Sequence, residues 1–196
     1  HDFALDARKA QWYVERFGSG STGEVLGFKP PRDISVQQTP GGKSLVAMLS
    51  AAELDMAWVG GSAQAQSDAA LRPLFSDAVA EGRRFYAAHG YVPANHMYMV
   101  RGSLAREQPA LVANLYRAFC ASKTAAQRGL PSGKSSGALF GSDLLATTCQ
   151  TLAGDPFAYG ISANRAMLET LVQLCLEQGL VRDKPAVEQL FASGID

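Results

Sequence analysis

Histidine and tryptophan are scarce in this chain, with three and two copies in 196 residues. His1, His89 and His96 have no neighbouring Cys or His at ligand spacing, so no metal centre is expected. Net charge is absent too. Eighteen basic residues balance eighteen acidic ones, so no whole-chain field draws nucleic acid or an anionic membrane, and any anion site has to be local. No apolar run approaches the roughly 20 residues of a membrane span, and no basic-then-apolar leader opens the sequence. The GxSxG, P-loop and GxGxxG patterns are missing. Gly41-Gly42-Lys43-Ser44 lacks the upstream glycine of a phosphate loop and reads as a helix start, which leaves no cofactor expected. Cys120, Cys149 and Cys175 are few, odd in number and widely spaced. They read as buried thiols on helices, which leans toward a reducing compartment.

What is present suits a globular α/β protein. A hydrophobic content of 47% and this length allow one substantial core or two small lobes. The mixed helical spacing of DFALDARKAQWYVERFG predicts a first helix, stopped by Gly18. Residues 18 to 33 are rich in Gly, Ser and Pro and read as a loop, and ISVQQT alternates as a short strand. KSLVAMLSAAE predicts a helix and LDMAWVG a buried strand. Short strand, helix, strand units of this kind build parallel sheets. DAVAEGRRFYAAHG predicts a helix and YVPANHMYMVR another strand. The stripe of Leu111, Val112, Leu115, Ala118 and Phe119 after Pro109 predicts a long helix. A Gly/Ser-rich loop at 132 to 137 leads to a helix through Leu144 and Cys149, then to a helix ending near Gly179 and a short last one.

Two positions draw attention chemically. His96 lies in the strand reading of YVPANHMYMVR, five residues before Arg101. That spacing puts the two side chains on opposite faces of a strand, and His96 is either a hydrogen-bonded core or boundary residue or a cleft residue. In AGDPFAYGISANRAMLETL, Ser162 is a candidate N-cap. Arg165 then falls at the third helical position, where a capping box favours an acid and the helix dipole disfavours a cation. Arg165 reads either as an anion clamp or as the partner of Asp155 in an ion pair across the turn.

The order LSAAELDMAWV, LRPLFSD, RRFYAAHGYVPANHMYMVR, QPALVANLYRAF and GDPFAYGISANRAMLETLVQLCLEQGL resembles the 4,5-dihydroxyphthalate decarboxylase family of the type 2 periplasmic-binding-protein superfamily. The likeness covers most of the chain from about residue 44 onward. Its most specific element is GDPFAYGISANR, close to the family's Gly-Asp-Pro-aromatic-x-Tyr-Gly-x-x-Ala-Asn-Arg pattern. LDMAWV is shared with many solute-binding proteins and discriminates little. Two departures are VGG at 59 to 61, where family members continue with a longer polar loop, and a short N-terminal part.

The resemblance implies a partial two-lobe α/β fold, periplasmic-binding-protein-like, with a helix-rich C-terminal half. Residues 1 to 90 correspond to most of the second lobe, and 91 to 196 to a hinge strand and the helical return segment of the first. On this correspondence the opening half of the first lobe is expected to be absent from the chain, which begins at His1. Self-association or a separate N-terminal lobe is therefore the expected partner arrangement, and a closed site is not expected from one chain alone. The implied activity is cofactor-independent decarboxylation of a hydroxylated aromatic acid in the cytoplasm. His96 is the candidate proton donor, Arg101 or Arg165 the carboxylate clamp, and Asp155, Tyr159 and Asn164 orient the phenols. The alternative is a periplasmic solute-binding protein that delivers an organic anion to an ABC-type transporter, which needs the clamp but no proton donor.

Overall fold

The computed structural model describes residues 2–15, 31–59, 67–94, 96–129, 152, 155 and 157–195. The chain forms two compact units, His1–Ser76 with Glu177–Arg182, and Asp77–Leu176 with Asp183–Asp196. Its described elements are mostly helical with one small parallel sheet, compatible with the α/β class. None of the described helices is long and apolar enough to cross a membrane.

The first unit departs from its expected opening helix. The Asp6 carboxylate accepts from the Arg8 backbone N–H and its side chain, which fixes a single 3-10 turn at Ala7–Lys9. Ala10 then leaves in extended backbone. The following Trp-Tyr-Val run is aromatic and β-branched, the type that favours strands, and forms β1, Trp12–Val14. It pairs in parallel with β2, Val36–Gln38, with Trp12 opposite Val36. The ISVQQT strand is thus present. Helix α1, Leu45–Ser50, starts at Ser44, whose hydroxyl accepts from the Ala47 N–H at 3.1 Å, so Gly41–Ser44 is a helix start as expected. Val46 and Met48 are its buried residues. The strand expected at LDMAWVG is absent from residues 54–59, where Met56 and Trp58 are exposed. A strand needs a half-buried pleated surface to join, and no described ladder reaches this segment.

The second unit carries the long helices. Helix α2, Ala78–His89, is capped by Asp77, which accepts from the Ala80 N–H at 2.8 Å, and stops at Gly90, φ +74°. Glycine takes this left-handed conformation without the Cβ penalty other residues meet. Residues 91–94 and 96–101 form no strand. Pro93 cannot donate to a ladder, and Tyr98 instead stacks on Phe119 with ring centroids 4.5 Å apart. A short helix α3, Gly102–Glu107, precedes α4, Pro109–Gly129, the long helix expected from its apolar stripe. Within that stripe Val112 is buried while Leu111 and Leu115 stay exposed.

Helix α5, Ile161–Glu177, buries Met167, Leu168 and Val172. Met167 and Leu168 pack with Val187 of a closing 3-10 turn, Val187–Leu190, against Tyr91, Ile161 and Phe191. Cys120 on α4 and Cys175 on α5 are half-buried free thiols. Cys149, the 18 to 33 loop for the most part, the 132 to 137 loop, the Leu144 helix and most of the VGG departure lie outside the described residues.

Candidate functional site

A cavity of about 530 Å³ lies in the second unit, within the size range of small-molecule sites. Its walls come from Val92–Ala94, His96–Tyr98 and Val100, from Val112, Leu115, Tyr116 and Phe119 of α4, and from the turn and first half of α5 between Phe157 and Leu168. Phe191 and Ile195 also line it. The lining is mainly apolar and aromatic. Its polar groups are His96, Asn164 and the hydroxyls of Tyr98, Tyr116 and Tyr159.

The wall from Phe157 to Asn164 is held by hydrogen bonds that involve Asp155, Lys123 and Asn164. Asp155 Oδ1 accepts from the Phe157 N–H at 2.9 Å. Lys123, reaching across from α4, donates to Asp155 Oδ2 and to the Phe157 carbonyl. Its ammonium also stands 4.6 Å from the centroid of the Tyr159 ring, a cation–π distance. Asn164 donates both amide hydrogens, to the Ala158 carbonyl at 2.9 Å and the Gly160 carbonyl at 2.8 Å. Those two acceptors fix the amide orientation and leave Oδ1 as an acceptor. Gly160, φ +97°, makes the bend into the helix, a backbone that side chains rarely tolerate.

The cavity brings together three of the six residues singled out from sequence, His96, Tyr159 and Asn164. Arg101, Asp155 and Arg165 lie outside its lining. Arg101 precedes α3, where its carbonyl accepts from the Ala105 N–H. Asp155 pairs with Lys123 instead of Arg165. The helix begins at Ile161, so Ser162 lies inside the first turn and Arg165 in the second, beyond the reach of a capping box. The Arg165 guanidinium meets Glu188 at 2.6 Å and Glu169 at 3.7 Å, tying α5 to the closing turn. Hydrogen bonding to Glu188 holds the Arg165 pKa above its ordinary value. Glu188 is held below the usual carboxylate value, first by its own backbone N–H and then by Arg165.

Sequence reasoning missed Lys123 and the aromatic pair of Tyr98 and Phe119. Lys123 sits 32 residues from Asp155 and 34 from Phe157, so no local pattern signals their meeting. Among the described residues no group of three or more His, Cys, Asp or Glu is placed to hold a metal ion. No protein-family model matches the chain, and no curated protein matches it.

Proposed function

We infer that the cavity of the second unit binds a hydroxylated aromatic carboxylic acid, and that the protein decarboxylates it without a cofactor. The observation carrying this reading is an aromatic-walled cavity whose lining includes His96 together with the Tyr159 and Asn164 of the GDPFAYGISANR turn. Aromatic walls match a flat ring through offset and edge-on contacts. The Asn164 carbonyl suits a phenol O–H as acceptor. In 4,5-dihydroxyphthalate each carboxylate lies para to a hydroxyl. Loss of the phenolic proton to solvent, from which the product phenolate later takes one back, pushes electrons to the carbon bearing the carboxylate, and His96, as general acid, protonates that carbon. The carbon–carboxylate bond then breaks, carbon dioxide leaves, and the bonding pair restores the aromatic ring. The histidine recovers its proton from solvent. The periplasmic-binding-protein-like architecture, a cytoplasmic setting, and completion of the site by an N-terminal lobe or a second copy belong to the same proposal.

One observation favours the alternative of binding without turnover. His96 is exposed, and decarboxylation of this kind profits from a water-excluded site. Calorimetric titration with 4,5-dihydroxyphthalate, beside chromatographic detection of 3,4-dihydroxybenzoate, separates the readings. The expected result is saturable binding and slow product formation that His96→Gln abolishes, with the dissociation constant kept within about threefold, because an acid that acts in the transition state adds little to ground-state binding. Binding without product assigns the site to solute capture. No binding overturns both.

A further inference from the structure

The proposed ligand carries at least one carboxylate, yet no Lys or Arg is among the described residues lining the cavity. Burying a carboxylate without a counter-charge is strongly unfavourable. We propose that Lys123 supplies that charge, and that Asp155 is the internal carboxylate the ligand displaces from it. This rests on the reading of the cavity as an aromatic-acid site.

Three observations place Lys123 in the role. Its ammonium touches two wall residues, donating to the Phe157 carbonyl and lying 4.6 Å from the Tyr159 ring centroid. An ammonium has three N–H donors, and two protein acceptors engage this one among the described residues, Asp155 Oδ2 and the Phe157 carbonyl. The two sides of the ion pair also differ in exposure. The Lys123 side chain is 17% exposed and that of Asp155 41%, so Asp155 can turn to water at smaller cost than Lys123, whose ammonium stays beside the wall residues Phe157 and Tyr159. Arg165, the cation of the GDPFAYGISANR turn, is engaged by Glu188 and Glu169. The ligand's acid group therefore replaces one carboxylate with another at the same ammonium, and the Phe157 carbonyl and Tyr159 ring keep the lysine in position.

The test compares 3,4-dihydroxybenzoate with its uncharged amide, 3,4-dihydroxybenzamide, by calorimetric titration of the full chain. The wild-type chain is expected to prefer the acid by about tenfold or more, the worth of one charge-assisted hydrogen bond. Lys123→Gln keeps a donor for the Phe157 carbonyl and should abolish the preference while holding amide affinity within about threefold. Asp155→Asn keeps the Oδ1 acceptor for the Phe157 N–H and removes the competing charge, so it should tighten the acid several-fold and leave the amide unchanged. Equal weakening of both ligands in Lys123→Gln, or an unchanged acid preference in both variants, overturns the proposal and leaves the lysine as a brace for the wall. If neither compound binds the wild-type chain, the cavity reading falls first and this one with it.

Discussion

Leu168 both packs the second unit and borders its cavity, so truncating it reports on both at once. The residue is 3% exposed and belongs to the cluster of Met167, Val187, Tyr91, Ile161 and Phe191. Leu→Ala changes in cores cost about 2–5 kcal/mol, the spread reflecting the void left behind. One side of Leu168 already faces open cavity, and contacts that do not exist there are not lost. The expected cost of Leu168→Ala is therefore in the lower half of the range, about 2–3 kcal/mol. For a domain of roughly 100 residues that lowers the melting temperature by roughly 8–24 °C. Val172 is the control, because it is buried on the same helix and does not line the cavity. Differential scanning calorimetry should show both variants destabilised, while titration with 3,4-dihydroxybenzoate should show altered affinity in Leu168→Ala alone. A loss below about 1 kcal/mol with unchanged affinity would refute the placement of Leu168 between core and cavity.

Gly160→Ala is expected to cost about 1–3 kcal/mol, because its φ of +97° is a region that non-glycine residues rarely occupy; an unchanged denaturant midpoint would show that the bend does not require it. Arg165→Gln should lower the melting temperature slightly and leave ligand affinity unchanged, since the guanidinium is engaged by Glu188 and Glu169 outside the cavity lining. The pH dependence has a definite sign. The folded-state pKa of Glu188 is depressed, so the stability it contributes is full above the ordinary glutamate value of 4.5 and is lost as pH falls through the lower folded value. Melting curves should therefore fall less steeply in acid for Glu188→Gln than for the wild-type chain, and identical slopes would show that the Glu188 carboxylate contributes nothing.

The helices at 78–89, 109–129 and 161–177 were legible because each carries punctuation beside its periodicity, with Asp77 and Gly90 around the first, Pro109 opening the second and Gly179 following the third. Where composition stood alone it misled. The apolar runs at 54–60 and 91–101 have strand-like residues, but a strand exists only when another strand accepts its backbone bonds, and that partner is a property of distant chain. In the second run the apolar side chains instead line a cavity and stack on α4. The opening segment failed in the opposite sense. Its mixed spacing resembled a helix, while Trp12, Tyr13 and Val14 joined a ladder to residues 24 positions away. At the site, the GDPFAYGISANR turn directed attention to Tyr159 and Asn164. The cation it pointed to was Arg165, because a helix start shifted by two residues changes which side chain falls at the capping position.

Solvent exposure grades the chain's five methionines by their susceptibility to peroxide. Thioether oxidation follows solvent access, and here that access runs from buried Met48 and Met167 to Met99, which is 95% exposed on the same segment as Met97 at 45%. Met97 lines the cavity and Met99 does not. A ligand seated against the 92–100 wall would shield one sulfur and leave its neighbour two residues away open. The pair forms an internally calibrated chemical footprint, readable by peptide mass and independent of catalysis.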